Sequence, residues 1–173
     1  MLVEGTSDRL AVETLARRRG RDLRAEGVAV VPMGGYGNLP RLLGQYRDVP
    51  LAGLYDVGEE RHFLRALGCA DRGELERAGF YACTRDLEDE LTRAVGPAGM
   101  ERVLAEQGEL RAFRTYQKQP AHRARPLEEQ LHGFMWNRKQ RYAVLLVEAL
   151  DLERVPRPLD RVLAHVQPST RQA

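Results

Sequence analysis

Four short apolar runs, each closed by a turn and followed by residues of helical period, set the pattern of the first half of the chain. Leu2-Val3 stops at Glu4 and turns on Gly5. From 8 to 19, Leu10, Ala11, Thr14 and Leu15 fall on one face with arginines opposite, and Gly20 supplies a stop. The run 28–32 is continuous and β-branched, as expected of a strand covered on both faces, and Met33-Gly34-Gly35 then turns the chain. Leu39, Leu42 and Leu43 behind Asn38 predict a second short helix. The run 50–55 predicts a third strand ending at Asp56, and 59–67 a helix with an acidic first turn. A fourth strand over 79–83 leads to a helix opening at Asp86. Strands alternating with helices in this way predict an α/β fold with a four-stranded parallel sheet and right-handed crossovers.

Beyond Gly96-Pro97 no further strand pattern occurs. Helical periods over 100–107, 110–117, 126–136, 140–150 and 158–166 are punctuated by prolines, and the tail from Gln167 reads as frayed. The sequence therefore divides into an α/β unit over 1–95, a helical appendage over 96–166 and a flexible tail over 167–173. The first strand is very short, which leaves open a fragment or a misplaced start.

Composition adds limits. The chain has 173 residues, enough for one domain with a buried core. It has two cysteines, Cys69 and Cys83, with no Cys-x-x-Cys spacing, so they read as reduced thiols, Cys83 in the core and Cys69 in a loop. No apolar stretch of about 18 residues exists, which points away from the membrane and to a soluble, cytoplasmic protein. The net charge of +2 neither favours nor excludes nucleic acid. Arginine supplies nearly all the positive charge, a bias consistent with a bacterial source. Lysine occurs only at 118 and 139.

Placed on a parallel sheet, three of the four strand ends carry carboxylates: Glu4 with Asp8, Asp56 with Glu59 and Glu60, and Asp86 with Glu88, Asp89 and Glu90. Such ends form one edge, where ligands bind in open α/β sheets. Singly, most of these acids are ordinary helix caps or first-turn residues. Caps do not account for Glu4 or Asp56, and the set reads as a site for a hard cation, Mg²⁺ or Mn²⁺ rather than zinc. At the second strand end, the bare backbone of Gly34 and Gly35 can approach a phosphate. The four histidines show no ligand spacing and read as solvated or helix-surface groups. The segment carrying Arg111, Arg114, Lys118, Arg123 and Arg125 alternates with Phe113 and Tyr116, a composition suited equally to a phosphate backbone and to a solvated helix face. Phe134 and Trp136 read as core anchors.

The Leu2-Val3-Glu4-Gly5-Thr6-Ser7-Asp8 corner, the Gly34-Gly35 turn, Tyr55-Asp56 and Asp86-Leu87-Glu88 together resemble the TOPRIM domain in the form found in OLD-family (overcoming lysogenization defect) nucleases. The resemblance covers roughly the first 95 residues, and implies a Rossmann-like TOPRIM fold followed by the helical appendage. It implies metal binding by Glu4, Asp8, Asp56 and Glu88 with one or two Mg²⁺ or Mn²⁺ ions, Asp86 as a polar companion, and Lys139 near the scissile phosphate. Two departures stand out. The Asp-x-Asp expected after the third strand reads Asp56-Val57-Gly58, so Glu59 or Glu60 is left to substitute; and no Gly-x-x-x-x-Gly-Lys-Ser/Thr phosphate loop occurs. The expected function is metal-dependent endonucleolytic hydrolysis of DNA, with Glu4 as acid or base, and either a partner supplies ATPase action or the protein works without it. The alternatives are a catalytically degenerate module that binds nucleic acid or an ATPase partner, and a TOPRIM ribonuclease. A dimer is compatible with this reading, which leaves the oligomeric state open.

Overall fold

Leu2–Val3 (β1) is buried on both faces and pairs with a parallel neighbour on each side, although it is only two residues long. In the computed structural model, which describes residues 1–166, helix α1 (Thr6–Arg18) crosses to the edge strand β2 (Val31–Pro32). The frayed tail read from the sequence lies outside the described residues. A 3₁₀ turn and α2 (Leu39–Gln45) lead back past β1 to β3 (Gly53–Asp56), and α3 (Glu60–Leu67) and α4 (Arg72–Arg77) lead to β4 (Phe80–Cys83). The strand order is β2-β1-β3-β4, and every pairing is parallel. The connections leave β1 and β3 in opposite directions, so the crevice of a doubly wound sheet opens between their carboxyl ends. Glu4 and Asp56 stand at those ends.

Side chains alternate across the sheet. Val3, Leu54, Tyr81 and Cys83 face one apolar cluster, whereas Leu2, Tyr55 and Phe80 face the other, with Leu39, Phe63 and Leu75 of the covering helices. The regular part of the second strand is shorter than its apolar run, because β1 offers partners only over two residues. The ladder ends with the Val31 amide donating to Met1 O at 2.8 Å and the Met33 amide to Val3 O at 2.7 Å. The α4 helix had no clear apolar period; Asp71 caps it by accepting the Glu74 amide at 2.9 Å.

The chain continues through α5 (Leu87–Glu106), α6 (Leu110–Lys118), α7 (Leu127–Met135), α8 (Lys139–Ala149) and α9 (Arg157–His165). α5 breaks at Gly96, where φ is 71° and ψ 168°, a conformation glycine adopts without strain, and Pro97 follows. The helices beyond this break share one apolar core with the sheet: Tyr142 and Leu146 of α8 and Leu159 of α9 lie in the same cluster as Val3, Val12 and Leu15. Helix α8 lies along α1. Arg18 Nη1 donates to Val147 O and Leu150 O, each at 2.7 Å, and Arg17 pairs with Glu148 at 2.8 Å. The carboxyl ends of the two helices therefore coincide, and the parallel packing carries Lys139, first residue of α8, toward the amino end of α1 and Asp8.

Candidate metal centre

Asp8 sits in the first turn of α1 because Gly5 enters the helix with extended backbone, and its Oδ2 accepts the Gly5 amide at 2.9 Å. That is a helix-cap contact, yet the residue is only 8% exposed. Its pKa is pushed up to about 7, chiefly by burial; the Gly5 amide offsets part of this, while the charges of Glu88 and Glu4 add to it. At the end of β3 the Asp56 carboxyl is raised to about 8 by burial, by the charge of Glu4 and a hydrogen bond shared with it, and by Glu59. Glu59 follows in a 3₁₀ turn and is raised to about 7 by burial and then by Glu4. The structure thus gathers Glu4, Asp8, Asp56 and Glu59 into one electrostatic group, with Glu4 as the common neighbour.

Glu88 joins this group from the first turn of α5. It is 6% exposed; its Oε1 is buried without a hydrogen-bond partner, and its Oε2 lies 3.6 Å from Lys139 Nζ. Glu59 Oε2 is likewise buried and unpartnered. A buried carboxylate oxygen with no donor is costly, and a cation removes that cost. Oxygen donors of this kind suit a hard divalent ion. Among the described residues no three acidic, histidine or cysteine side chains stand together at ligand geometry, so binding requires rotamer changes. The Lys139 ammonium provides the nearest positive charge to Glu88.

Other acids named from the sequence are engaged elsewhere. Glu60 turns to Arg72, whose Nε donates to it, and accepts the Tyr55 hydroxyl at 3.4 Å, so Glu59 rather than Glu60 is the acid beside Glu4. Asp86 caps α5, its Oδ1 accepting the Asp89 amide at 2.7 Å, while its Oδ2 lies 2.8 Å from His132 Nε2 of α7. Both its oxygens are taken, and His132 is not the solvated residue its spacing suggested. Gly58 leaves open space where a side chain would point.

On the flank of β1, the Gly34 amide donates to Glu4 O at 3.0 Å, with φ of 69° at Gly34 and 101° at Gly35. Glycine supplies these left-handed conformations, and Asn38 Nδ2 fixes the turn by donating to Met33 O at 2.9 Å and Gly34 O at 3.2 Å. The glycine turn is therefore joined to the Glu4 corner by backbone.

The basic segment behaves differently from its composition. Arg111, Lys118, Arg123 and Arg125 are exposed, and Arg114 is exposed but pairs with Glu101 and Gln117. Phe113 is buried against Phe134, and Tyr116 stacks on His122 at 3.8 Å, so neither aromatic is presented for stacking. Trp136, expected in the core, is instead 57% exposed, because α7 ends at Met135 and the following 3₁₀ turn carries the indole outward. Lys139 Nζ lies 4.5 Å from the centre of its ring. A tryptophan followed at i+3 by a lysine was the available signal, since these positions are neighbours on a helical surface.

Residues 1–56 match the family model described as "Overcoming lysogenization defect protein-like, TOPRIM domain". No curated protein matches the chain. The C-terminal region of the Burkholderia pseudomallei OLD protein has a similar structure, with a TM-score of 0.72 and 20% identity over 95% of this chain and 94% of that one. The C-terminal region of the Xanthomonas campestris pv. campestris OLD protein has a TM-score of 0.72 and 22% identity over 95% and 89%. The resemblance to an OLD-type TOPRIM domain is thus carried by sequence at the amino-terminal strands and by fold over nearly the whole chain.

Proposed function

We propose that this OLD-like TOPRIM chain is a metal-dependent nuclease that hydrolyses DNA phosphodiester bonds at the Glu4 edge. The observation that supports it best is the convergence of buried and half-buried acids from three strand ends, of which Glu59 and Glu88 each leave a carboxylate oxygen with no donor. Glu4, Asp8, Asp56, Glu59 and Glu88 are the residues that would hold one or two Mg²⁺ or Mn²⁺ ions. Such ions, when bound, lower the pKa of water and stabilise charge on phosphate oxygens. Glu4, whose charge reaches Asp8, Asp56 and Glu59, is the acid or base candidate. Lys139, displaced from Glu88 when a cation takes that carboxylate, would place its ammonium against the phosphate. Gly34 and Gly35 would offer backbone to the neighbouring phosphate, and the exposed Arg111, Lys118, Arg123 and Arg125 would bind the backbone without sequence preference.

The test is nicking of supercoiled plasmid with Mg²⁺ or Mn²⁺. Wild type nicks, and Glu4→Ala and Asp56→Ala lose at least about a hundredfold in rate, the scale of losing a principal electrostatic group. Equal rates in all three proteins would contradict the assignment.

Gly58, in place of the second acid of Asp-x-Asp, favours a second reading, in which the chain binds nucleic acid or an ATPase partner without cleaving. Retention of DNA in EDTA with no cleavage under either metal would select it.

A further inference from the structure

Trp136 is the chain's single tryptophan, and exposing it costs apolar burial that the nearby core could have supplied. It opens a surface depression of about 540 Å³ formed by residues Trp136 to Arg141, which combines an aromatic face, the exposed amides of Asn137 and Gln140, and the cations Arg138, Lys139 and Arg141. Glu109 fixes two of these cations, with Arg138 Nη1 at 2.6 Å and Arg141 Nη1 at 2.8 Å, while Lys139 lies between the indole and Glu88. His132, held by Asp86, sits 5.7 Å from the indole on its other connection to the carboxylate edge. The depression is therefore joined to the acidic edge through Lys139 at Glu88 and through His132 at Asp86.

An aromatic face with flanking amides and cations is the chemistry that receives a nucleobase: the ring stacks, the amides meet base edges and the cation meets the phosphate. A base inside a duplex cannot offer its face to this indole, whereas an unpaired base can. We propose that Trp136 is a stacking platform for an unpaired base next to the phosphate at Lys139, so that the chain prefers single-stranded DNA to duplex. This deepens the nuclease reading, on which it rests for the position of the phosphate.

The tryptophan being unique, its fluorescence reports the contact directly. Wild-type protein is titrated in EDTA at low salt with a short oligothymidylate and with a blunt hairpin duplex of equal base count, and binding of labelled strands is followed by anisotropy. Single strand quenches the fluorescence to saturation and binds at least fivefold tighter than duplex. Trp136→Ala weakens single-strand binding roughly 5- to 100-fold, the range for one lost base stack, and leaves duplex binding within about twofold, while Trp136→Phe keeps most of the affinity. Saturating single-strand binding without quenching, no binding of single strand, or unchanged affinity in Trp136→Ala would overturn the proposal. Failure of plasmid nicking with quenching preserved would remove the nuclease reading and leave this one standing.

Discussion

Asp8, Asp56 and Glu59 hold protons in the folded chain at pH values where the unfolded chain has released them. Unfolded carboxyls titrate near 4, whereas these are raised to about 7, 8 and 7. Between those limits the folded state binds more protons than the unfolded one, so stability falls as pH rises. In metal-free protein, the thermal midpoint measured by calorimetry should therefore drop from about pH 5 to about pH 8, the window set by this linkage. Added Mn²⁺ should recover more of it at the upper end, where fewer protons must be displaced. A midpoint that rises across the window would show that these acids do not share the environment described. The same residues mark what sequence could and could not convey. That Glu4 and Asp56 stand at strand ends, and Asp8 and Glu88 in first helical turns, was legible because these are local features. That Glu60 turns to Arg72 and Asp86 to His132 depends on contacts 12 and 46 residues apart, which no local pattern encodes.

Helix α8 positions Lys139, and Glu109, between α5 and α6, fixes where α8 begins. Its carboxylate receives Arg138, Arg141 and the Tyr142 hydroxyl, the last at 2.6 Å. Burial works against its charge, but these donors outweigh it and hold the pKa below the usual range. Glu109→Ala should leave the buried Tyr142 hydroxyl and two guanidinium groups without their acceptor and lower stability by about 1–3 kcal/mol in urea unfolding. Nicking should fall further than stability accounts for, with Glu109→Gln intermediate; wild-type stability and activity in Glu109→Ala would remove the positioning role. Most elements were readable from period and punctuation, since the apolar faces of α1 and α8 and the β-branched runs reflect burial directly. Helix α4 was not, because its six residues bury only Leu75. Trp136 was misplaced for a related reason: helical period assigns faces, but the switch to 3₁₀ geometry after Met135 turns the ring out.

At the scale of the molecule, the strand order β2-β1-β3-β4 opens a crevice between β1 and β3, and the helical half packs on one face of the sheet. The two halves share a core, so the acidic edge receives residues from both: Glu4, Asp8, Asp56 and Glu59 from the strands and their helices, Glu88 from α5 and Lys139 from α8. The fold class was legible because alternating strands and helices admit few topologies. The packing of α8 on α1 was not, since nothing local specifies which helix a distant apolar face will meet. Anomalous diffraction from a crystal soaked in manganese tests whether this edge holds a divalent cation. The expected result is a peak bounded by the carboxylates of Glu4, Asp8, Asp56 and Glu88, with Lys139 moved away from Glu88. Ordered density at this edge without an anomalous peak, Lys139 still against Glu88, would contradict it.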